Sequence, residues 1–365
     1  MDEMSRLVRE EDLEDIARGA AILGTGGGGN PYIGKLLARG AIREHGPVTL
    51  VHPDEVPDDA LVAQAAMMGA PTVMVEKIPE GSEVVRAFEL LAVQLGRPLT
   101  HVTCGEVGGV NSTIPFVVAA RLGIPLVDAD GMGRAFPELQ MSLPGMAGVR
   151  ATPLALADEK GNRLVLETID NRWTERLARS ATIDMGCSAL LAAYACSGRR
   201  ARETMVLGSL TLSQELGRLL REARAEHADP VAAVVARLRG RRLFTGRVVD
   251  VRRRTESGFA RGTAQLAGLD RDVGSQLELR FQNENLVALR DHEVRVSVPD
   301  LIIALDTETG EPVTTEDLRY GFRVTVLGAP CDERWRSPRG LALAGPRYFG
   351  YDFDYVSLED RAGSR

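Results

Sequence analysis

Apolar and polar positions along this chain follow two different periods. Leu13, Ile16, Ala17 and Ala20 form a helical stripe, so residues 8–23 are expected to be a helix with acids in its first turns. A second helix is expected over residues 32–38, closed at Gly40. Short apolar runs at 48–51, 61–67, 99–103 and 124–127 read as strands. Helical patterns at 83–95, with Gly96 as C-cap, and at 113–122 separate them. This alternation predicts an α/β N-terminal domain with a mainly parallel sheet covered on both faces. After Met146 the pattern changes. Residues 154–157 and 164–168 flank Asp158-Glu-Lys-Gly-Asn162 as a hairpin. The alanine-rich stretch 173–197 reads as helical, as do 213–225 and 230–239. From Leu243 onward, short β-like runs spaced by glycine and polar turns predict a β-rich C-terminal domain, a sandwich or a small barrel. The expected division is 1–170 for the α/β domain, 171–240 for a helical segment packed on it, and 241–365 for the β-rich domain.

Composition narrows the class. The chain has 365 residues, 44% of them hydrophobic, enough core for two or three domains. A net charge of −7 with both signs mixed gives no basic face for nucleic acid. The local run Arg252-Arg-Arg254 reads as a solvated strand edge. Cys104, Cys187, Cys196 and Cys331 have no paired spacing, which fits a reducing compartment rather than a disulfide framework. No CxxC or HxxxH pair marks a structural zinc site. The polar start Met1-Asp-Glu-Met-Ser5 is unlike a secretory or transit peptide. No apolar segment reaches the length of about 20 residues that spans a bilayer. A cytoplasmic protein is expected, without membrane or nucleic-acid partners, and a homo-oligomer on general frequency.

Three stretches carry candidate chemistry. In Asp128-Ala-Asp-Gly-Met-Gly-Arg-Ala-Phe-Pro-Glu138-Leu-Gln-Met141, a strand delivers Asp128 and Asp130 into a glycine turn followed by Arg134 and Glu138. Acids delivered this way suit a site at the carboxyl edge of a sheet. In His101-Val-Thr-Cys104-Gly-Glu106-Val-Gly-Gly-Val-Asn111-Ser112, Glu106 is the best candidate for a general acid or base. Asn111 and Ser112 suit either a ligand contact or a helix cap. Cys104 is a nucleophile, a metal ligand or a buried apolar residue, and His101 a core histidine or a ligand.

The third stretch is Gly24-Thr-Gly-Gly-Gly-Gly29. Gly29-Asn-Pro-Tyr-Ile-Gly34-Lys35 matches most of a P-loop, but Leu36 stands where a magnesium-binding hydroxyl belongs, and a helix precedes it. No nucleotide is therefore expected. Gly26, Gly27 and Gly28 remain candidates for cradling a carboxylate or developing negative charge, or for close approach of another backbone. In the β-rich half, Glu284, Asn285 and Asp300 are candidates for contacts at an interdomain cleft.

Together, Gly24-Thr-Gly-Gly-Gly-Gly29, Gly105-Glu-Val-Gly-Gly109-Val-Asn111, the 128–141 turn and Gln282-Asn-Glu-Asn-Leu286 resemble hallmarks of the S-methyl thiohydantoin desulfurase family, long catalogued as a domain of unknown function. Val298-Pro-Asp-Leu-Ile302 and Gly345-Pro-Arg-Tyr-Phe-Gly350 extend the resemblance over nearly the whole chain. It implies an α/β domain followed by a β-rich one. It also implies a hydrolase-like enzyme acting on a small thiohydantoin- or hydantoin-type ring, releasing methanethiol by addition and elimination at the ring carbon. Hydantoinase- or oxoprolinase-type enzymes are implied as associates. The alternative expectation is a non-catalytic subunit or regulator of such an enzyme.

Residue roles come from the residues themselves. Glu106, Asp128, Asp130 and Cys104 are the catalytic candidates. Gly26, Gly27, Gly28, Asn111, Arg134, Glu138 and Glu284 are candidates for binding substrate. His101 and Cys104, with the carboxylates, are candidates for a divalent metal such as zinc.

Overall fold

The computed structural model describes residues 5–69, 73, 77 and 79–363. The first sheet contains β1 (Arg6–Val8), β2 (Val48–Val51), β3 (Leu61–Gly69), β4 (His101–Cys104), β5 (Leu126–Asp130), β6 (Leu154–Ala157), β7 (Arg163–Leu166), β8 (Ser188–Ser197) and β9 (Val206–Leu207). Its order is β1-β2-β5-β4-β3-β8-β6-β7, with β9 paired to β5. The strands β2, β5, β4 and β3 at its centre are parallel. The flanking strands pair antiparallel. Helices Ser82–Leu95 and Ile114–Leu122 cover one face, and both end at glycines in the left-handed region, Gly96 and Gly123.

Two local expectations differ from what is found. The helix expected to stop at Gly40 runs from Pro31 to His45 and ends at Gly46, with φ +97°. Gly40 is exposed with open space around it, so it costs about 1 kcal/mol of helix propensity without breaking the helix. Downstream, Ala41 and Ile42 are buried and carry the helix on. The second correction concerns 173–197. Helix Asn171–Asp184 is followed by strand β8, which is buried along most of its length. A strand covered on both faces reads as a continuous apolar run, which periodicity cannot separate from a buried helix.

The second sheet is antiparallel throughout. It contains β10 (Arg241–Glu256), β11 (Phe259–Gly268), β12 (Gln276–Gln282), β13 (Glu284–Arg290), β14 (Glu293–Ser297), β15 (Leu301–Asp306) and β16 (Arg323–Ala329), in the order β14-β13-β12-β11-β10-β16-β15. Side chains from all seven strands share one core around Phe244, Leu266, Leu279, Ala288, Val296, Ile302 and Val326, so the sheet curls around its own interior as a half-barrel.

Between the sheets, helix Leu13–Leu23 crosses helix Ser209–Ala225 at backbone contact. A Cβ on Gly19 would lie 1.7 Å from the Ser213 carbonyl oxygen, and one on Gly217 would lie 2.0 Å from that of Asp15. The C-terminal segment returns to the first domain: the Trp335 indole donates to Met132 O at 2.7 Å and packs 4.7 Å from Phe136.

Candidate active site

The three chemical stretches meet at the carboxyl end of the parallel strands. Gly28 O accepts from Val110 N at 2.8 Å and Asn111 N at 3.2 Å, and Gly131 N donates to Gly105 O at 3.1 Å. Gly28 has φ +79°, and a Cβ there would lie 2.6 Å from Gly108 Cα. Backbone therefore presses on backbone, one of the two readings of the glycine run. Gly26 faces Thr315 and Asn285, and a Cβ on Gly27 would lie 1.9 Å from Glu284 Oε1. Gly28 and Gly29 alone of that run line the cavity, while Gly26 and Gly27 let the second domain close against the first.

The cavity they border has a volume of about 70 Å³, roughly five times what one water needs. Glu106, Asn111 and Gln64 line it from the first sheet and its loops; Asn283 and Glu284 line it from the β-rich domain. Met67, Met68, Leu139 and Leu191 give it apolar wall. Helix Asn171–Asp184 contributes Arg179, whose guanidinium pairs with Glu175, donates to Pro137 O and Gly258 O, and stacks 4.0 Å over Phe259. Two lining residues, Tyr194 and Asn283, hold φ of +52° and +56°. Such backbone is sparsely populated and concentrates at functional sites.

Four acids behave differently here. Glu106 is buried; its Oε1 accepts from Asn111 Nδ2 at 2.5 Å and its Oε2 from Phe136 N at 3.0 Å. Asn111 is itself held by Met67 N, which donates to its Oδ1 at 2.7 Å, so it orients the carboxyl rather than capping a helix. Burial pushes the Glu106 pKa up to about 7 against those hydrogen bonds, helped by the charge of Asp130. Glu284 is raised well above the ordinary carboxyl value, first by burial and then by Glu106, and its Oε2 has no hydrogen-bond partner among the described residues.

Asp130 is raised to about 6 by burial. Its Oδ2 accepts from Val107 N, Met132 N and Gly133 N, stapling the two loops together. Glu138 lines the cavity and accepts from the Tyr348 hydroxyl at 2.6 Å.

Other candidates lie elsewhere. Asp128 turns away to the start of helix Ser209–Ala225, where its Oδ1 accepts from Leu210 N at 2.8 Å and Thr211 N at 3.2 Å. Gly208 has no side chain to cap that helix, so a carboxylate from β5 does it. Replacing Asp128 by Ala should cost about 1–2 kcal/mol in urea denaturation, the scale of a lost cap, and leave turnover within about threefold of wild type.

Arg134 is wholly buried and offers no free fork to a substrate carboxylate. Its five N–H groups go to Ala135 O, Pro299 O, Asp300 O, Asn285 O and Thr25 Oγ1. Cys104 sits in the apolar core rather than on the cavity lining, and burial with the charges of Asp130 and Asp128 pushes its thiol far up, which fits a packed apolar residue. His101, at the start of β4, contacts Thr100 Oγ1 at 2.9 Å. Three residues along a strand put it roughly 10 Å from Cys104 and on the opposite face, so the two cannot share a metal. Among the described residues no three His, Cys, Asp or Glu side chains gather as a ligand set. Asp300 instead ties down the C-terminal segment through Cys331 N, Arg336, Tyr355 and Leu358 N.

Comparison with known proteins places this architecture. An S-Me-THD-like N-terminal domain matches residues 11–168, and an S-Me-THD-like C-terminal domain matches 169–358. The chain belongs to the S-Me-THD-like family. An X-ray crystal structure of a protein from Chromobacterium violaceum is similar to this S-Me-THD-like chain at 25% identity and a TM-score of 0.80, covering 97% of this chain and 100% of the other. No curated protein matches.

Sequence reasoning missed four polar lining residues of this S-Me-THD-like site: Gln64, Arg179, Tyr194 and Asn283. The first left a signal, a lone amide inside an apolar strand. The others lie in stretches that read as helix or as an ordinary hairpin. No helix among the described residues is long and apolar enough to cross a membrane.

Proposed function

We propose that this protein is a desulfurase-type hydrolase that releases methanethiol from an S-methylated thiohydantoin ring. The carrying observation is the pair of buried carboxyls, Glu106 and Glu284, one from each domain, lining a single cavity, with burial pushing both pKa values up and Glu106 adding to the rise at Glu284. Groups whose environments push their pKa values apart supply an acid and a base to one reaction. Glu106, with both oxygens already accepting hydrogen bonds, is the base. Glu284, held protonated, is the acid.

The steps balance without a further reactant. Water attacks the ring carbon between the two nitrogens; Glu106 takes one of its protons while Glu284 protonates the ring nitrogen of the C=N bond. The tetrahedral adduct then loses its thioether. Glu106 returns its proton to the departing sulfur, and Glu284 recovers one from the adduct hydroxyl as the new carbonyl forms. The products are methanethiol and the hydantoin. The methionines and leucines of the wall suit the methylthio group. No metal enters these steps.

Purified protein alone should release thiol from S-methyl thiohydantoins, read with a thiol reagent. Release only in the presence of a hydantoinase- or oxoprolinase-type enzyme would turn the assignment to an accessory subunit.

Glu284 also predicts a stability signature. Its folded pKa lies above its unfolded value, so the folded state holds the proton longer, and stability falls as pH rises through the folded pKa. Glu284→Gln removes the buried charge. Its Tm should lie closest to wild type near pH 4, about the unfolded carboxyl value, and exceed it by a margin that widens as pH rises above that; a Tm gap that does not widen with pH would contradict a protonated Glu284.

A further inference from the structure

We propose that Gln64 reads a cis-amide edge of the ring bound in the cavity, a C=O and an adjacent N–H on the same side, and so selects the substrate. This deepens the ring-hydrolase reading and rests on it. Gln64 interrupts Leu61-Val-Ala-Gln-Ala-Ala-Met-Met68, a strand otherwise apolar. The residue is 2% exposed and lines the cavity, and its buried Nε2 has no hydrogen-bond partner among the described residues. A buried donor left unpaired is costly, and an aliphatic residue would fill the same strand position without that cost.

Two glycines flank the amide, where a side chain would crowd it. A Cβ on Gly131 would come within 3.0 Å of Nε2 and 3.2 Å of Oε1. A Cβ on Gly105 would lie 2.9 Å from the Ala66 methyl and 3.8 Å from Gln64 Oε1. Across the strand, the β3–β8 register slips between Val62 and Gln64, beside Tyr194 with its φ of +52°. Irregularities of this kind re-aim side chains next to active sites.

A primary amide presents one donor and one acceptor side by side. Its complement is the edge of a lactam, an imide or a hydantoin, where ring closure fixes the amide cis. Nε2–H donates to the ring carbonyl, and the ring N–H donates to Oε1. An acyclic trans amide turns those groups to opposite sides and satisfies one of the two. The ionised Glu106 carboxylate in the same cavity disfavours an anionic ligand, which selects a neutral ring.

The test uses the full chain, calorimetry and two probe pairs: succinimide against N-methylsuccinimide, and hydantoin against 1,3-dimethylhydantoin. Wild type should bind each unmethylated ring about tenfold or more tightly than its methylated partner, the effect of one lost hydrogen bond. Gln64→Leu and Gln64→Met, which lose the amide and keep the bulk, should lose that preference and melt no lower than wild type. Equal preference in wild type and a folded variant, or no binding of either unmethylated ring by wild type, overturns the proposal. Thiol release, measured in parallel, separates the two readings. Gln64-dependent binding without release spares this inference and sinks the desulfurase reading. Release with preference unaltered by the variants does the reverse.

Discussion

Glu106→Gln should lower kcat by about 100-fold or more while leaving the melting transition in place, the scale expected when a general base is removed. The argument rests on where the carboxyl sits. It is buried, fixed at both oxygens by Asn111 and Phe136 N, and raised to about 7 chiefly by loss of solvent. A base acts only when ionised, so the wild-type rate should climb as pH rises through about 7. It should fall again at higher pH as Glu284 gives up its proton, because that carboxyl must be neutral to act as acid. In Glu106→Gln the rising limb should vanish from the residual activity. The measurement is kcat/KM for methanethiol release across the pH range. Undiminished turnover with the same rising limb would remove Glu106 from the chemistry.

Arg134→Met should destabilise the fold by about 3–5 kcal/mol, the range for breaking a buried, fully bonded charge. Methionine keeps the volume, so the loss isolates the five hydrogen bonds. Two of their acceptors, Ala135 O and Thr25 Oγ1, belong to the first domain, and three, Pro299 O, Asp300 O and Asn285 O, to the second. Burial lowers the guanidinium pKa to about 10, while Glu284, Cys331, Asp300 and Glu106 pull it back up. The side chain stays charged at neutral pH and offsets the nearby acids. Lysine should not rescue it, since three donors on a point charge cannot reach five acceptors laid out for a planar fork. Urea denaturation gives the value; a cost under about 1 kcal/mol would mean that the seam does not depend on this residue.

Much of the fold is legible in the chain because its parallel strands are short, apolar and fenced by glycine-capped helices. Glu106 and Asn111 are legible for the same reason: a strand that ends in Cys-Gly-Glu at the carboxyl edge delivers its next few residues to the site. Strand β8 is not, because burial on both faces erases the alternation that marks a strand. Asp128 misleads because its partners lie 82 and 83 residues away, and nothing local announces a helix start that needs a remote carboxylate. Arg134 misleads in a similar way. Beside acids in a glycine turn it resembles a ligand-binding arginine, whereas its carbonyl acceptors at 285, 299 and 300 come from a domain whose docking the pattern does not encode. Glu284 is legible as a residue worth noting, but its pairing with Glu106 depends on that same docking.

The glycine run also belongs to the second domain. Asn285 N donates to Thr25 O and Thr315 N to Gly26 O, both at 2.9 Å, so the loop borders the half-barrel as much as the helices it joins. A chain joined in this manner is not modular. Severed near residue 168, each portion would be left with raw backbone and one carboxyl of the two. Neither portion could be borrowed by an unrelated protein intact, and natural recombination at that point would have to carry both or split the cavity.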